Sequence, residues 1–169
     1  MALSIDFATV GILRHIVAQA RGRQPLFADP AARARAHRQL ADSCVRHHLR
    51  CLVWCVTDRC LHTVMQGAPA AITLATHEMI GPRLRCGHWL STLVKRDVYL
   101  LEVARHALLA PVRAGFCRQA SDWPFSSARE LLGRAGRPNR VGFARIALTA
   151  HCSPSGKLAD CSWRPFSAS

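Results

Sequence analysis

The chain has 169 residues, of which 50% are hydrophobic, so it suits one compact domain and excludes a largely unfolded polymer. Twenty-three Lys and Arg against ten Asp and Glu leave a net charge of +13 at pH 7, which indicates a polyanionic partner such as nucleic acid. The first residues lack a secretory pattern, and no run reaches the roughly 18 apolar residues of a membrane span. We therefore expect a cytoplasmic protein that does not associate with a membrane. In that compartment its eight cysteines are expected to stay reduced.

The first part of the chain predicts a strand followed by a helix. Residues 8–19 are rich in apolar and β-branched types and stop at a basic, turn-prone stretch, which predicts a strand. Asp29 followed by Pro30 supplies an N-cap and a first-turn proline. Because no breaker follows, a helix is predicted to about residue 48.

A hairpin and a second helix come next. Two short apolar runs, residues 49–57 and 60–66, flank Asp58 and Arg59, which is typical of an antiparallel hairpin. The segment Pro69–Ile80 is apolar and ends before a Gly-Pro pair, so it predicts a helix.

The second half predicts helices without a further strand. Residues 81–96 are interpreted as a basic, glycine-containing connection. Asp97 is expected to cap a third helix that ends before Pro111, and another helix is expected to open near residue 122 or 126. Residues 134–169 show no sustained period.

This order of elements predicts the fold class. One strand, a helix, two strands and a helix, with further helices after them, favour an α+β domain with a small antiparallel sheet and helices packed on it. We assign residues 1–133 to this domain and residues 134–169 to a weakly ordered C-terminal tail.

Four segments between about residue 14 and residue 133 carry a family resemblance. They are His15-Ile16-Val17 with Arg21-Gly22, Trp54 to Val64, Asp97-Val98-Tyr99-Leu100-Leu101 continuing to Pro111-Val112-Arg113-Ala114-Gly115, and Trp123-Pro124-Phe125-Ser126-Ser127. In order and spacing they resemble the REP-associated tyrosine transposases, a branch of the HUH single-strand DNA transposases of the insertion-sequence-200-like type. The resemblance implies a ferredoxin-like HUH domain that binds single-stranded or hairpin DNA in a bacterial, nucleoid-associated setting.

The resemblance also implies a catalytic arrangement that this chain has largely replaced. Family members attack a DNA phosphate with a tyrosine, while a divalent ion, Mg²⁺ or Mn²⁺, polarises the phosphate. By the match, Cys60 and His62 take the two histidine positions, His106 the tyrosine position, and Ala110 that of an amide ligand. A thiol and a methyl group are poor partners for a hard ion, so we expect DNA binding with strand cleavage and rejoining lost.

Two alternatives remain open for an active protein. His106 is a competent nucleophile in principle, and Tyr99, the single tyrosine, lies seven residues before it on the same helix face. The other interpretation of Tyr99 is a packing residue.

A third interpretation is a soft-metal protein. Cys60, His62 and His106 form a possible zinc set. Cys51 and Cys55 are excluded from sharing one ion, because four strand steps separate them by about 13 Å. The alternative is that Cys51 and Cys55 are buried free cysteines that fill apolar positions in the core.

Several basic residues near the motifs are candidate DNA-phosphate contacts. They are Arg21, Arg23, Lys95, Arg96 and Arg113. Trp89 and Phe27 are candidates for stacking on unpaired bases, with burial as the alternative for both.

Overall fold

The computed structural model describes residues 11–80, 86–95 and 97–131. The described elements, in chain order, are β1 (Ile12–Ala20), α1 (Pro30–Arg46), β2 (Arg50–Val56), β3 (Cys60–Gly67), α2 (Pro69–Ile80), β4 (Cys86–Leu93), α3 (Asp97–Leu108), α4 (Ala110–Arg113), a 3-10 turn (Ala120–Asp122) and α5 (Ala128–Leu131). The predicted tail and the first residues of the predicted strand lie outside the described residues.

The four strands form one antiparallel sheet in the order β2-β3-β1-β4. With α1 and α2 as its connections, this is the βαββαβ arrangement of the ferredoxin-like fold. The sheet places β1 and β3 in the centre, so side chains from these two strands are the most enclosed. The α+β prediction and its antiparallel hairpin are confirmed.

Each face of the sheet packs against a different set of helices. One core joins α1 and α2 to side chains such as Ile16, Leu61 and Met65. The other joins α3 to Leu13 and Val64 on the opposite face, because successive strand residues point to alternate sides. The centre of the sheet is therefore buried on both faces, and β3 is buried from Leu61 to Gln66.

Local chemistry explains where α1 begins and how the first loop is held. The Asp29 carboxylate accepts a hydrogen bond from the Ala32 amide at 2.6 Å, as the predicted N-cap requires. Arg59, in the β2–β3 turn, donates to the carbonyl of Gly22 and to that of Arg23, the latter at 3.1 Å. The loop after β1 is thus tied to the hairpin turn.

The edge strand β4 corrects the prediction of an irregular connection at residues 81–96. Cys86–Leu93 pairs with β1, with a shift of register at Gln19 and Ala20. Its outer residues Trp89, Leu90 and Leu93 stay 41%, 66% and 40% exposed. Because the neighbouring residues Trp89 and Leu90 are both apolar, β4 lacks the alternation of apolar and polar residues by which a strand is predicted from sequence.

The opposite edge of the sheet, at β2, is covered by residues 123–127. The Val56 amide donates to the Phe125 carbonyl at 2.9 Å, and the Ser127 amide donates to the Trp54 carbonyl at 2.9 Å. The Trp54 amide donates to the Ser127 hydroxyl at 3.1 Å. This segment, which we call the edge cover, satisfies the outer backbone groups of β2 that would otherwise be unpaired.

The helices after β4 begin as predicted. The helix α3 (Asp97–Leu108) ends before Pro111, and the short α4 (Ala110–Arg113), which was not predicted, follows it with the proline in its first turn. The next predicted helix is present as the 3-10 turn and α5. Among the described residues, the helices are all too short or too polar to cross a bilayer.

Candidate functional site

Three histidines from separate elements meet between the sheet and α3. His15 comes from β1, His62 from β3 and His106 from the last turn of α3. The ring centroids of His15 and His62 are 5.6 Å apart, those of His62 and His106 are 5.4 Å apart, and those of His15 and His106 are 6.5 Å apart. We call these three residues the imidazole trio. They converge because positions 15 and 62 both point to the α3 face of the sheet.

Burial keeps the imidazole trio uncharged near neutral pH. Burial, together with the nearby His15, His106 and Arg113, lowers the pKa of His62 to about 3. Burial and His106 lower the pKa of His15 to about 4. The pKa of His106, which is partly exposed, is also lowered by burial and by Arg113. His15 Nε2 and His62 Nδ1 lie 3.4 Å apart, where one nitrogen carries the hydrogen and the other accepts it.

Arg113 and two cysteines border the imidazole trio. The Arg113 guanidinium donates to the His106 carbonyl at 2.7 Å. Its charge lies near Cys60 and Cys55, although burial raises the pKa of both thiols overall. Cys55 pairs with His62 across the β2–β3 ladder, and Cys60 Sγ lies 3.1 Å from Thr57 Oγ1. The site thus combines neutral imidazoles, neutral thiols and one cation.

This donor set does not fit Mg²⁺ or Mn²⁺. These hard ions favour carboxylate, carbonyl and water oxygens, whereas the available side chains are imidazoles and thiols. Ala110, at the position that the resemblance assigns to an amide ligand, is buried and its side chain offers no ligand atom. In the described ranges, no group of three or more His, Cys, Asp or Glu side chains is arranged, as it stands, to hold a metal ion.

The two candidate nucleophiles occupy different environments. His106 belongs to the imidazole trio, whereas the Tyr99 side chain is 46% exposed and lies two helical turns earlier on α3. That exposure does not fit a residue whose role is packing in the core. Two turns of helix separate the Cα atoms by roughly 10 Å, so Tyr99 and His106 are not interchangeable positions.

The candidate DNA-contact residues are spread over two ends of the sheet. Arg21 and Arg23 are exposed in the loop after β1, at the end where Cys60 pairs with Gln19. Lys95 is also exposed but follows Val94, whose amide donates to the Leu13 carbonyl at the other end of β1. Arg113 is exposed and lies with the imidazole trio. Arg96 lies outside the described residues.

The aromatic candidates for base stacking differ in exposure. Phe27 is 3% exposed and belongs to the core on the α1 side of the sheet. Trp89 on β4 is 41% exposed and packs edge-on against His77, with centroids 5.7 Å apart. Only Trp89 of the two presents a ring to solvent.

Sequence reasoning missed His15 as a member of the site. It noted His15 as a motif residue only, although a histidine inside an otherwise apolar strand is an available signal. Because strand side chains alternate between the two faces, His15 lies on the same face of the sheet as Leu13, and the β1–β3 register brings it beside His62. That register depends on long-range pairing, which the sequence does not reveal.

Comparisons with known proteins place the fold but not a family. No protein-family model and no curated protein matches the sequence. The structure is similar to that of a REP-associated tyrosine transposase bound to a REP hairpin, with a TM-score of 0.62 and 13% identity over 82% of this chain and 89% of that chain. At that identity the likeness shows a shared fold.

Proposed function

We propose that this chain is a DNA-binding protein of the transposase type that takes single-stranded or hairpin DNA in the bacterial nucleoid and no longer cleaves it through a tyrosine. The observation that carries the proposal is the shared fold, which extends over most of this chain and most of a solved hairpin-bound transposase. The net charge of +13 supports a polyanionic ligand.

The positions of the basic side chains support contact with a phosphate backbone. Arg21 and Arg23 are exposed in a loop that Arg59 holds against the hairpin turn. Arg113 is exposed beside the imidazole trio, where its guanidinium has donors left after its bond to the His106 carbonyl. These three residues lie toward the same end of the sheet and form one phosphate-binding surface.

The loss of cleavage follows from the side chains at the site. His106 stands where the resemblance places the tyrosine, and Cys60 and Ala110 stand at two of the three metal positions. Phosphoryl transfer depends mainly on stabilising the charge of the transition state, and a site without hard oxygen donors lacks the means to hold the ion that does this.

Binding is tested by fluorescence anisotropy with a labelled DNA hairpin, an unpaired strand and a blunt duplex at low salt. We expect the hairpin and the unpaired strand to bind more tightly than the duplex. The double variant Arg21→Ala, Arg23→Ala should weaken hairpin binding at least tenfold, whereas Arg35→Ala, an exposed arginine on α1, should change it less than twofold. Equal loss in both variants, or no binding at low salt, would contradict the proposal.

A further inference from the structure

Phe116 is a large apolar side chain that the fold holds in a fixed place at the surface. It follows α4, where the Gly115 amide donates to the Val112 carbonyl at 3.0 Å. The Phe116 amide donates to the Pro111 carbonyl at 2.9 Å. Gly115 has a φ of +77°, which this way of ending a helix favours. The backbone of Phe116 is therefore fixed, although the residue remains 41% exposed.

The ring of Phe116 lies against Trp123. Their centroids are 5.1 Å apart and their planes are inclined by 26°, within the range of the offset stacking that aromatic pairs favour. Trp123 is itself anchored, because its indole Nε1 donates to the Val56 carbonyl at 2.8 Å and the Arg33 guanidinium lies 5.5 Å from its ring centroid. In the described part of the chain, one face of the Phe116 ring thus contacts Trp123 and the other faces solvent.

Basic side chains surround this aromatic pair. Arg113 and Arg118 flank Phe116 in the chain, and both are exposed. Val56, which anchors the indole, ends β2 beside the hairpin turn, and Arg59 in that turn holds the loop that contributes to the phosphate-binding surface. Because β2 and β1 are two strand spacings apart, roughly 10 Å, the exposed ring lies within reach of the same bound strand.

We propose that Phe116, supported by Trp123, is a stacking site for the base of an unpaired nucleotide in the DNA that this chain binds. Proteins that hold single strands combine basic side chains for the backbone with aromatic rings for the bases. Every base has a flat face, so stacking adds affinity without reading sequence. A base inside a duplex already stacks on its neighbours, so the ring selects unpaired nucleotides. The site depends on the proposed DNA binding, because it takes a nucleotide of that same ligand.

The first experiment separates bases from phosphates, using the full chain and labelled hairpins with one common stem. The stem is blunt, carries a short extension of unpaired thymidines, or carries an abasic extension of the same length, placed on the 5′ or the 3′ side. We expect the thymidine extension on one side to bind at least about fivefold more tightly than the abasic extension on that side. Equal affinities for the two extensions on both sides would overturn the proposal.

Variants locate the stacking ring. Phe116→Leu keeps an apolar side chain but loses the flat ring, so it should abolish the preference for thymidines while changing the binding of blunt and abasic hairpins less than twofold. Phe116→Tyr keeps the ring and should retain the preference. The control Leu74→Ala, which alters an exposed apolar residue on α2, should change none of the affinities more than twofold. A preference that survives Phe116→Leu would contradict the assignment.

A crosslink identifies the ring in the unaltered chain, in case Phe116→Leu does not fold by circular dichroism. An extension carrying 5-iodouracil is irradiated in the complex, and mass spectrometry locates the adduct, which we expect at Phe116. An adduct at Trp89 instead would refute the site.

Failure of the stacking site is distinguishable from failure of DNA binding. The double variant Arg21→Ala, Arg23→Ala should weaken the binding of all three hairpins, because it removes contacts to phosphates. Phe116→Leu should leave the salt dependence of binding unchanged. If the chain binds the blunt hairpin but does not distinguish bases from abasic sites, DNA binding stands and the stacking site is refuted. If no hairpin binds at low salt, both are refuted.

Discussion

Two histidines that stay neutral in the folded protein make its stability depend on pH. The pKa of His15 is lowered to about 4 and that of His62 to about 3, while an unfolded histidine titrates at about 6.5. Between these pKa values the unfolded chain binds more protons than the folded one, so the free energy of unfolding decreases as the pH falls. The contribution of the two residues is fully present above about pH 6.5 and declines as the pH falls toward their folded pKa values.

We therefore predict that the free energy of unfolding decreases when the pH is lowered from 7 to 4. The expected slope is at most roughly 1.4 kcal/mol per pH unit for each histidine. The double variant His15→Gln, His62→Gln should have a flatter profile over this interval, and His77→Gln should keep the slope of the unaltered chain. Urea unfolding at a series of pH values measures it. A profile as steep in the double variant as in the parent would refute the assignment.

A second prediction concerns strand cleavage. The unaltered chain should form no covalent adduct with a labelled DNA hairpin in Mg²⁺ or Mn²⁺, as judged by denaturing gel electrophoresis. The changes Cys60→His, His106→Tyr and Ala110→Asn should all be needed before an adduct appears, because the nucleophile and the metal ligands act as a unit.

An adduct formed by the unaltered chain would show instead that catalysis persists with other groups. Tyr99→Phe would then test the exposed tyrosine, and His106→Gln would test the imidazole. A phosphohistidine and a phosphotyrosine differ in acid stability, so brief acid treatment distinguishes the two adducts chemically.

At the scale of the element, one hydroxyl makes two of the hydrogen bonds between the edge cover and β2. The Ser127 side chain accepts the hydrogen bond of the Trp54 amide and donates to the Trp54 carbonyl at 3.3 Å. Both residues are buried, so removal of this hydroxyl leaves the Trp54 amide without that partner. A buried amide without a partner costs about 1–3 kcal/mol.

We therefore predict that Ser127→Ala lowers the free energy of unfolding by about 1–3 kcal/mol. Thr73→Ala is the matched control, because the exposed Thr73 hydroxyl contacts only the Pro69 carbonyl of its own helix. The control should change stability by less than about 0.5 kcal/mol. Chemical denaturation monitored by tryptophan fluorescence measures both. Equal effects would mean that the edge cover contributes little.

An element can be predicted from the sequence when the interactions that define it join residues close together in the chain. The sequence marks α1 clearly, since Asp29 and Pro30 act on adjacent residues, and the β2–β3 hairpin needs only a short turn at Asp58 and Arg59. It does not mark β4, whose pairing partner in β1 is some 70 residues away and whose apolar residues do not alternate. The convergence of His15 and His106 is likewise long-range, whereas the His62 position followed from a local motif.

At the scale of the whole molecule, the basic residues define a long surface. Arg21 follows the end of β1 and Lys95 lies beside its start, which places them roughly 25–30 Å apart along the strand. Two successive phosphates of one DNA strand are too close together to contact Arg21 and Lys95 at the same time. A ligand that contacts both must therefore extend over several nucleotides.

This arrangement predicts how salt affects DNA binding. Each phosphate neutralised on a single strand contributes a slope of about −0.7 to the logarithm of affinity against the logarithm of salt concentration. The double variant Arg21→Ala, Arg23→Ala should reduce the slope by about 1.4, and Lys95→Ala by about 0.7. Anisotropy titrations over a range of salt concentrations test both values. Slopes that do not change would mean that these side chains touch no phosphate.

The edge cover also sets an order of events during synthesis. The ribosome completes the four strands before it makes residues 123–127, so the outer side of β2 stays open in the nascent chain until that segment emerges. An open strand edge is a template for pairing with other chains. The growing polypeptide is therefore most prone to aggregate in the interval between the completion of β4 and the arrival of Ser127, when the sheet is formed but its β2 side is still uncovered.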